Sequence, residues 1–190
     1  MAAVESQMLE LGTPIPAFTL PDADGTMHSL PDAADAYVVM FICNHCPFVI
    51  HVADQLAAVG RDYADRNVAI IAINSNDVAN YPADGPGAMK AEAANRGYSF
   101  PYVLDEDQSV AKTFRAACTP DFFVFDRGQK LVYRGQLDNS RPSNSEPVDG
   151  HDLRNAVDNA LKGEAASAAQ TPSIGCNIKW KAGNEPDYFG

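Results

Sequence analysis

Cys43, Asn44, His45 and Cys46 set two thiols three positions apart. That spacing suits a dithiol that closes to a disulfide and reopens, and it also occurs in half of many zinc sites. The surrounding sequence favours the redox use. Residues 37–42 form a continuous apolar run rich in β-formers, and after Pro47 the apolar residues Phe48, Val52, Leu56, Val59 and Tyr63 recur at helical spacing. The pair is therefore predicted at a strand-to-helix junction, with the helix starting at the pair and the two intervening residues letting a disulfide close across its first turn. Free backbone N–H groups and the positive end of the helix dipole favour thiolate over thiol there. Two further cysteines, Cys118 and Cys176, lie far along the chain. Cys118 sits two residues before Pro120, and Cys176 falls in the segment Pro172 to Trp180.

The elements that must hold this junction can be read from periodicity and turn chemistry. A short hairpin is expected around residues 21–25, joining 18–20 to 27–30. The strand at 37–42 and the helix after Pro47 follow, with Pro tolerated in a first turn because its missing N–H would be unpaired anyway. A second buried strand at 68–73 ends in the turn-forming Asn74-Ser-Asn-Asp77. A Pro/Gly-rich loop at 81–87 leads to a helix at 88–96, stopped by Gly97. A strand at 102–104, a helix at 109–114, a hairpin of 122–125 with 130–133, and a helix at 152–162 complete the order. This β-α-β-α-β-α-β-β-α order predicts an α/β three-layer sandwich, a mixed central sheet flanked by helices. Residues 12–162 form the expected domain; 163–190 read as an Ala/Ser-rich linker and a C-terminal tail.

Composition bounds the partners. The 190 residues carry 14 Lys plus Arg against 25 Asp plus Glu, a formal net charge of −11. A chain this acidic, without a Lys/Arg cluster, repels phosphate backbones, so neither nucleic acid nor an anionic membrane surface is an expected partner. No apolar run is long enough to span a bilayer. The first ten residues lack a basic stretch followed by an apolar one, so a cytoplasmic protein is expected. Gly85-Pro-Gly87 has no phosphate-loop Lys, and neither a nucleotide nor another cofactor is implied.

The hairpin, the Cys43/Cys46 junction and Thr119-Pro120 ahead of residues 122–125 together resemble the thioredoxin-like superfamily. Within it the chain is most similar to the alkyl hydroperoxide reductase/thiol-specific antioxidant (peroxiredoxin-like) branch, over residues 12–162. The resemblance implies a cis-proline loop at Thr119-Pro120 that faces the cysteines and binds the substrate backbone. It admits two registers. Aligned on thioredoxins, Cys43 attacks and Cys46 resolves; aligned on peroxiredoxins, Cys46 before Pro47 is the peroxidatic residue. The sequence departs from both, with Ile42 before the pair, Val39 at the upstream peroxiredoxin proline, and Arg115 ahead of the Pro120 loop.

His45, just before the second Cys, is similar to the active site of protein disulfide isomerases. A cationic imidazole beside a thiolate stabilises the reduced form and raises the reduction potential. The function expected is thus a thiol–disulfide oxidoreductase acting on a disulfide or peroxide with a thiol reductant. Cys43 and Cys46 are its catalytic residues, Thr119 and Pro120 bind substrate, and His45 and Cys118 tune or assist. Greater access is expected to make Cys43 the attacking thiol. Cys118 is expected near the pair, as a resolving thiol, a third ligand or simply a buried small hydrophobe. A thiol peroxidase using Cys46 is the second reading. A third is a Cu(I)/Zn(II) module of Cys43, Cys46 and either Cys118 or His45.

Overall fold

The computed structural model describes residues 3–165 and 167–189. Its centre is a five-stranded mixed sheet of β4 (Ala36–Phe41), β5 (Val68–Asn74), β6 (Tyr102–Leu104), β8 (Asp121–Asp126) and β9 (Leu131–Gly135), in the order β6-β5-β4-β8-β9. The strands β4, β5 and β6 run parallel, while β8 and β9 are antiparallel additions. All six residues of β4 are buried, as a strand covered on both faces requires.

Side-chain alternation divides the core. Val38 and Met40 pack with α1 (Pro47–Asp62), α2 (Pro86–Arg96) and α4 (His151–Lys162) on one face. Tyr37, Val39 and Phe41 pack on the other with α3 (Ser109–Thr113), the N-terminal segment and Trp180. Each of these buried side chains contributes roughly 1.5–3 kcal/mol from the apolar area removed from water. The expected sandwich is present, with its second face closed mainly by irregular chain. The N-terminal hairpin is also present, as the short strands β2 (Leu20–Pro21) and β3 (Met27–His28).

Register positions the chemistry. In the antiparallel pairing Phe41 lies opposite Asp121, so the exit of β4 meets the start of β8. The turn after β4 therefore faces Thr119 and Pro120. Ile42 N–H still bonds Ile73 O at 3.0 Å, after which the chain leaves the sheet.

Two features depart from the sequence expectation. The helix α1 begins only at Pro47, with Cys46 as an extended N-cap at φ −71°, ψ 122°. The cause is local, because Pro disfavours helical geometry in the residue before it. Cys43 and Cys46 are therefore bridged by a bend and do not span a helical turn. The second feature is a three-stranded antiparallel sheet, β1 (Ala3–Glu5), β10 (Ile174–Asn177) and β7 (Cys118–Thr119), in the order β1-β10-β7.

Candidate active site

Both pair thiols are buried, Cys43 at 2% and Cys46 at 0% exposure. The expected difference in access is thus absent. Cys43 Sγ lies 3.3 Å from Thr119 Oγ1, and the Cys46 thiol donates to Thr119 O at 3.2 Å. The Thr119–Pro120 peptide is cis. Thr119 touches both sulfurs, one through its side chain and one through its backbone.

The bend between the cysteines is organised by a residue the sequence reading passed over. Asp84 closes the 3₁₀ turn Pro82–Asp84 and is fully buried. Its Oδ1 accepts the Asn44 N–H at 2.8 Å and the His45 N–H at 3.2 Å. Its Oδ2 contacts His45 Nδ1 at 2.6 Å and accepts Asn76 Nδ2 at 2.8 Å. A buried carboxylate is tolerated only with such partners. The Tyr102 hydroxyl fixes Asn44 by donating to its Oδ1 at 3.0 Å, and the His45 ring stacks on Tyr81. Cys43 Sγ, a His45 ring nitrogen and an Asp84 carboxylate oxygen lie within 4.8 Å of one another.

The other cysteines fall differently from expectation. Cys118 adjoins Thr119 in β7, and neighbouring strand residues face opposite ways. Its thiol accordingly contacts Pro120 O at 3.7 Å, and burial, followed by the charge of Asp121, raises its pKa well above the thiol range. Of the sequence readings, its burial fits the small hydrophobe. Cys176, which the sequence could not place, is the cross-strand partner of Thr119. It packs in the same cluster as Cys43 and Cys46.

The electrostatics are asymmetric. Cys46 is drawn from the ordinary 9.0 down to about 5, first by the hydrogen bond it accepts from Cys43. The Cys176 side chain and the backbone amides of Val49 and Cys176 add to this, against burial. Val49 is the third residue of α1, where free N–H groups point outward. Cys43 is pushed well above 9.0, first by donating to Cys46, then by burial and the negative Asp84. Ionisation of the pair is thus favoured on Cys46, which then gives up the hydrogen bond its thiol donates to Thr119 O.

Neither arginine that could serve a peroxide reaches these sulfurs. Arg115 lies over the Tyr188 ring at 4.5 Å. Arg134 of β9, a second residue the sequence reading missed, is fully buried beneath the opposite face, where it donates to Asp121 at 2.9 Å and covers the Phe123 ring.

A mixed sheet, a cysteine pair at a helix N-terminus and a facing cis-proline together define a thioredoxin-like protein. The AhpC/TSA family profile matches residues 11–134, and the chain belongs to the AhpC/TSA family. Family and fold support a thioredoxin-fold redox function. Among solved structures, an uncharacterized conserved protein from Geobacillus kaustophilus is 53% identical, with TM-score 0.92, over 95% of this chain and 97% of that one. A hypothetical protein from Sinorhizobium meliloti is 49% identical, with TM-score 0.92, over 94% and 99%. A secreted Mycobacterium tuberculosis disulfide oxidoreductase homologous to E. coli DsbE shares the fold at 17% identity and TM-score 0.57, over 74% and 94%. No curated protein sequence matches the chain. No helix among the described residues is long and apolar enough to cross a membrane.

Proposed function

We propose that the protein is a thiol–disulfide oxidoreductase in which Cys46 is the attacking thiolate and Cys43 the resolving thiol. The observation that carries this reading is the place of Cys46 as the N-cap of α1, ahead of the free amides of the first turn, with Cys43 beside it on the bend that Asp84 holds. Cys46 attacks one sulfur of a substrate disulfide, forming a mixed disulfide and expelling the first substrate thiolate. Cys43 then attacks Cys46 Sγ, closing Cys43–Cys46 and expelling the second. The Cys43 proton passes to His45, whose ring Asp84 orients. An external dithiol reopens the pair, and Thr119 and Pro120 line the approach of the substrate backbone. Mass spectrometry of protein oxidised with a small disulfide tests the reading. A Cys43–Cys46 linkage is expected, and two thiols that remain alkylatable would refute it.

His45 tunes the couple. With its ring within 4.8 Å of Cys43 Sγ and held by Asp84, His45→Ala should lower the reduction potential by on the order of 30 mV, equivalent to about 1.4 kcal/mol. Protein-film or glutathione-equilibrium measurement reads this directly, and an unchanged potential would refute the tuning role of His45.

Peroxide is a second substrate class, favoured by the low pKa of Cys46 ahead of Pro47. The thiolate would take one peroxide oxygen to become a sulfenic acid, and Cys43 would displace water to form the same disulfide. Turnover should be weak, since the guanidinium groups of Arg115 and Arg134 are engaged elsewhere and cannot stabilise the departing oxygen. Stopped-flow rates rivalling those of dedicated peroxidases would overturn that expectation. A metal site of Cys43, His45 and Asp84 is less well supported, because the Asp84 oxygens already serve four groups.

A further inference from the structure

The proposed reaction leaves one thiol of the site unused. Cys176 lies opposite Thr119 in the β10–β7 pairing, and directly opposed residues project to the same face of a sheet. Thr119 is the residue that contacts both pair sulfurs. Its register therefore turns the Cys176 side chain to the face of Thr119 that the pair occupies, and Cys43, Cys46 and Cys176 pack in one buried cluster.

The approach of β10 is specified by more than pairing. A Cβ on Gly175 would stand 2.0 Å from Thr119 O and 3.1 Å from Pro120 N, both backbone atoms that cannot swing aside. Only glycine lets this strand press on the Thr119–Pro120 peptide. Ser173 Oγ donates to Pro120 O at 2.5 Å on one side of the contact. On the other, Asn76 accepts the Lys179 N–H at 2.8 Å while its amide holds Asp84. The tail is thus fastened to the cysteine bend through Asn76 and Asp84. A buried cysteine is often only a small hydrophobe. This one packs with the pair, on the strand that closes on Thr119.

We propose that Cys176 is a third redox-active residue, exchanging with the Cys43–Cys46 disulfide to form Cys46–Cys176. This rests on the reading of Cys43 and Cys46 as a redox pair. The Cys176 sulfur attacks Cys46 Sγ, the Cys43–Cys46 bond breaks as the Cys46–Cys176 bond forms, and Cys43 leaves as thiolate. The proton lost by Cys176 ends on Cys43. One disulfide replaces another, so no external electron is needed. The exchange moves the oxidising equivalent onto the tail strand and leaves Cys43 free beside His45 and Asp84. Intrachain exchange of this kind is limited by geometry, not by encounter.

The full chain is oxidised with oxidised glutathione, remaining thiols are alkylated, and linkages are mapped without reduction. Cys43→Ser is expected to yield Cys46–Cys176, and Cys176→Ser to yield Cys43–Cys46. Gly175→Ala should cut the Cys46–Cys176 yield in the Cys43→Ser background by at least about ten-fold, because disulfide closure tolerates little displacement of its backbones. In the otherwise native chain the same substitution should preserve Cys43–Cys46, which verifies that the domain is folded. A Cys43→Ser protein in which Cys46 stays glutathionylated and Cys176 alkylatable would overturn the proposal. Formation of Cys43–Cys46 in Cys176→Ser would leave the pair reaction intact even then. Absence of that linkage would instead overturn the pair reaction itself.

Discussion

Challenged with a small aromatic disulfide at neutral pH, the double variant Cys43→Ser/Cys176→Ser, which lacks both thiols that could displace the adduct, should capture a mixed disulfide on Cys46, whereas Cys46→Ser should react far more slowly. With its pKa at about 5, Cys46 is almost wholly ionised at neutrality. For a thiol above the ambient pH, each added pKa unit removes tenfold of the thiolate and returns only about threefold in nucleophilicity. Cys43, held well above 9.0, is thereby left the slower nucleophile of the two. Removing Cys46 would lift one cause of that elevation, but burial and Asp84 remain. Because both sulfurs are buried, access does not offset this difference. Trapping by mass spectrometry decides the order. Capture on Cys43 in Cys46→Ser, with none on Cys46 in Cys43→Ser/Cys176→Ser, would restore the thioredoxin register.

The parts of this site legible in the sequence are those that periodicity or adjacency encodes. The apolar run before Cys43 and the 3.6-residue pattern after Pro47 place the pair between β4 and α1, where the structure has them. Even the shift of Cys46 to the N-cap was available from the proline that follows it. What stayed hidden are contacts made by topology. Asp84 reaches the amides of Asn44 and His45 across 40 and 39 residues, from a loop whose sequence shows only turn chemistry. No local pattern distinguishes a loop aspartate that will be buried under a backbone bend from one that will be solvated.

The exchange of roles between Cys118 and Cys176 shows the same limit more sharply. Proximity to Pro120 suggested Cys118, but β7 alternates, and Thr119 takes the face toward the pair. The thiol that does arrive comes from a strand 57 positions later, through the pairing Cys176 with Thr119. The best sequence clue to that strand was Gly175, whose missing side chain makes room for the Thr119 carbonyl. A lone glycine inside a strand signals close backbone approach, but not to which partner.

The stability of the reduced protein should rise steeply with pH, and that rise should vanish in Cys46→Ser. Cys46 falls from 9.0 in the ordinary state to about 5 in the fold. Between those values the unfolded chain binds a proton that the native chain does not, so stability increases with pH at about 1.4 kcal/mol per unit. The contribution is complete above the unfolded pKa and is lost as pH falls through the folded one. From pH about 5 to about 8 it amounts to roughly 4 kcal/mol, an upper figure because the thiols share their protons. Cys43 and Cys176 are shifted upward, so their contributions are present below about 9 and lost only at higher pH. They leave this window untouched. Carboxylates such as Asp22 and Asp149 titrate below it, and they remain in the variant used for comparison. Denaturant unfolding across the range, taken as the difference between native sequence and Cys46→Ser, isolates the thiolate. Oxidation removes the ionisable group altogether, so the disulfide form should lose the slope as the serine variant does. A reduced protein whose difference curve is flat would place the thiolate elsewhere and remove the electrostatic basis for Cys46 as nucleophile.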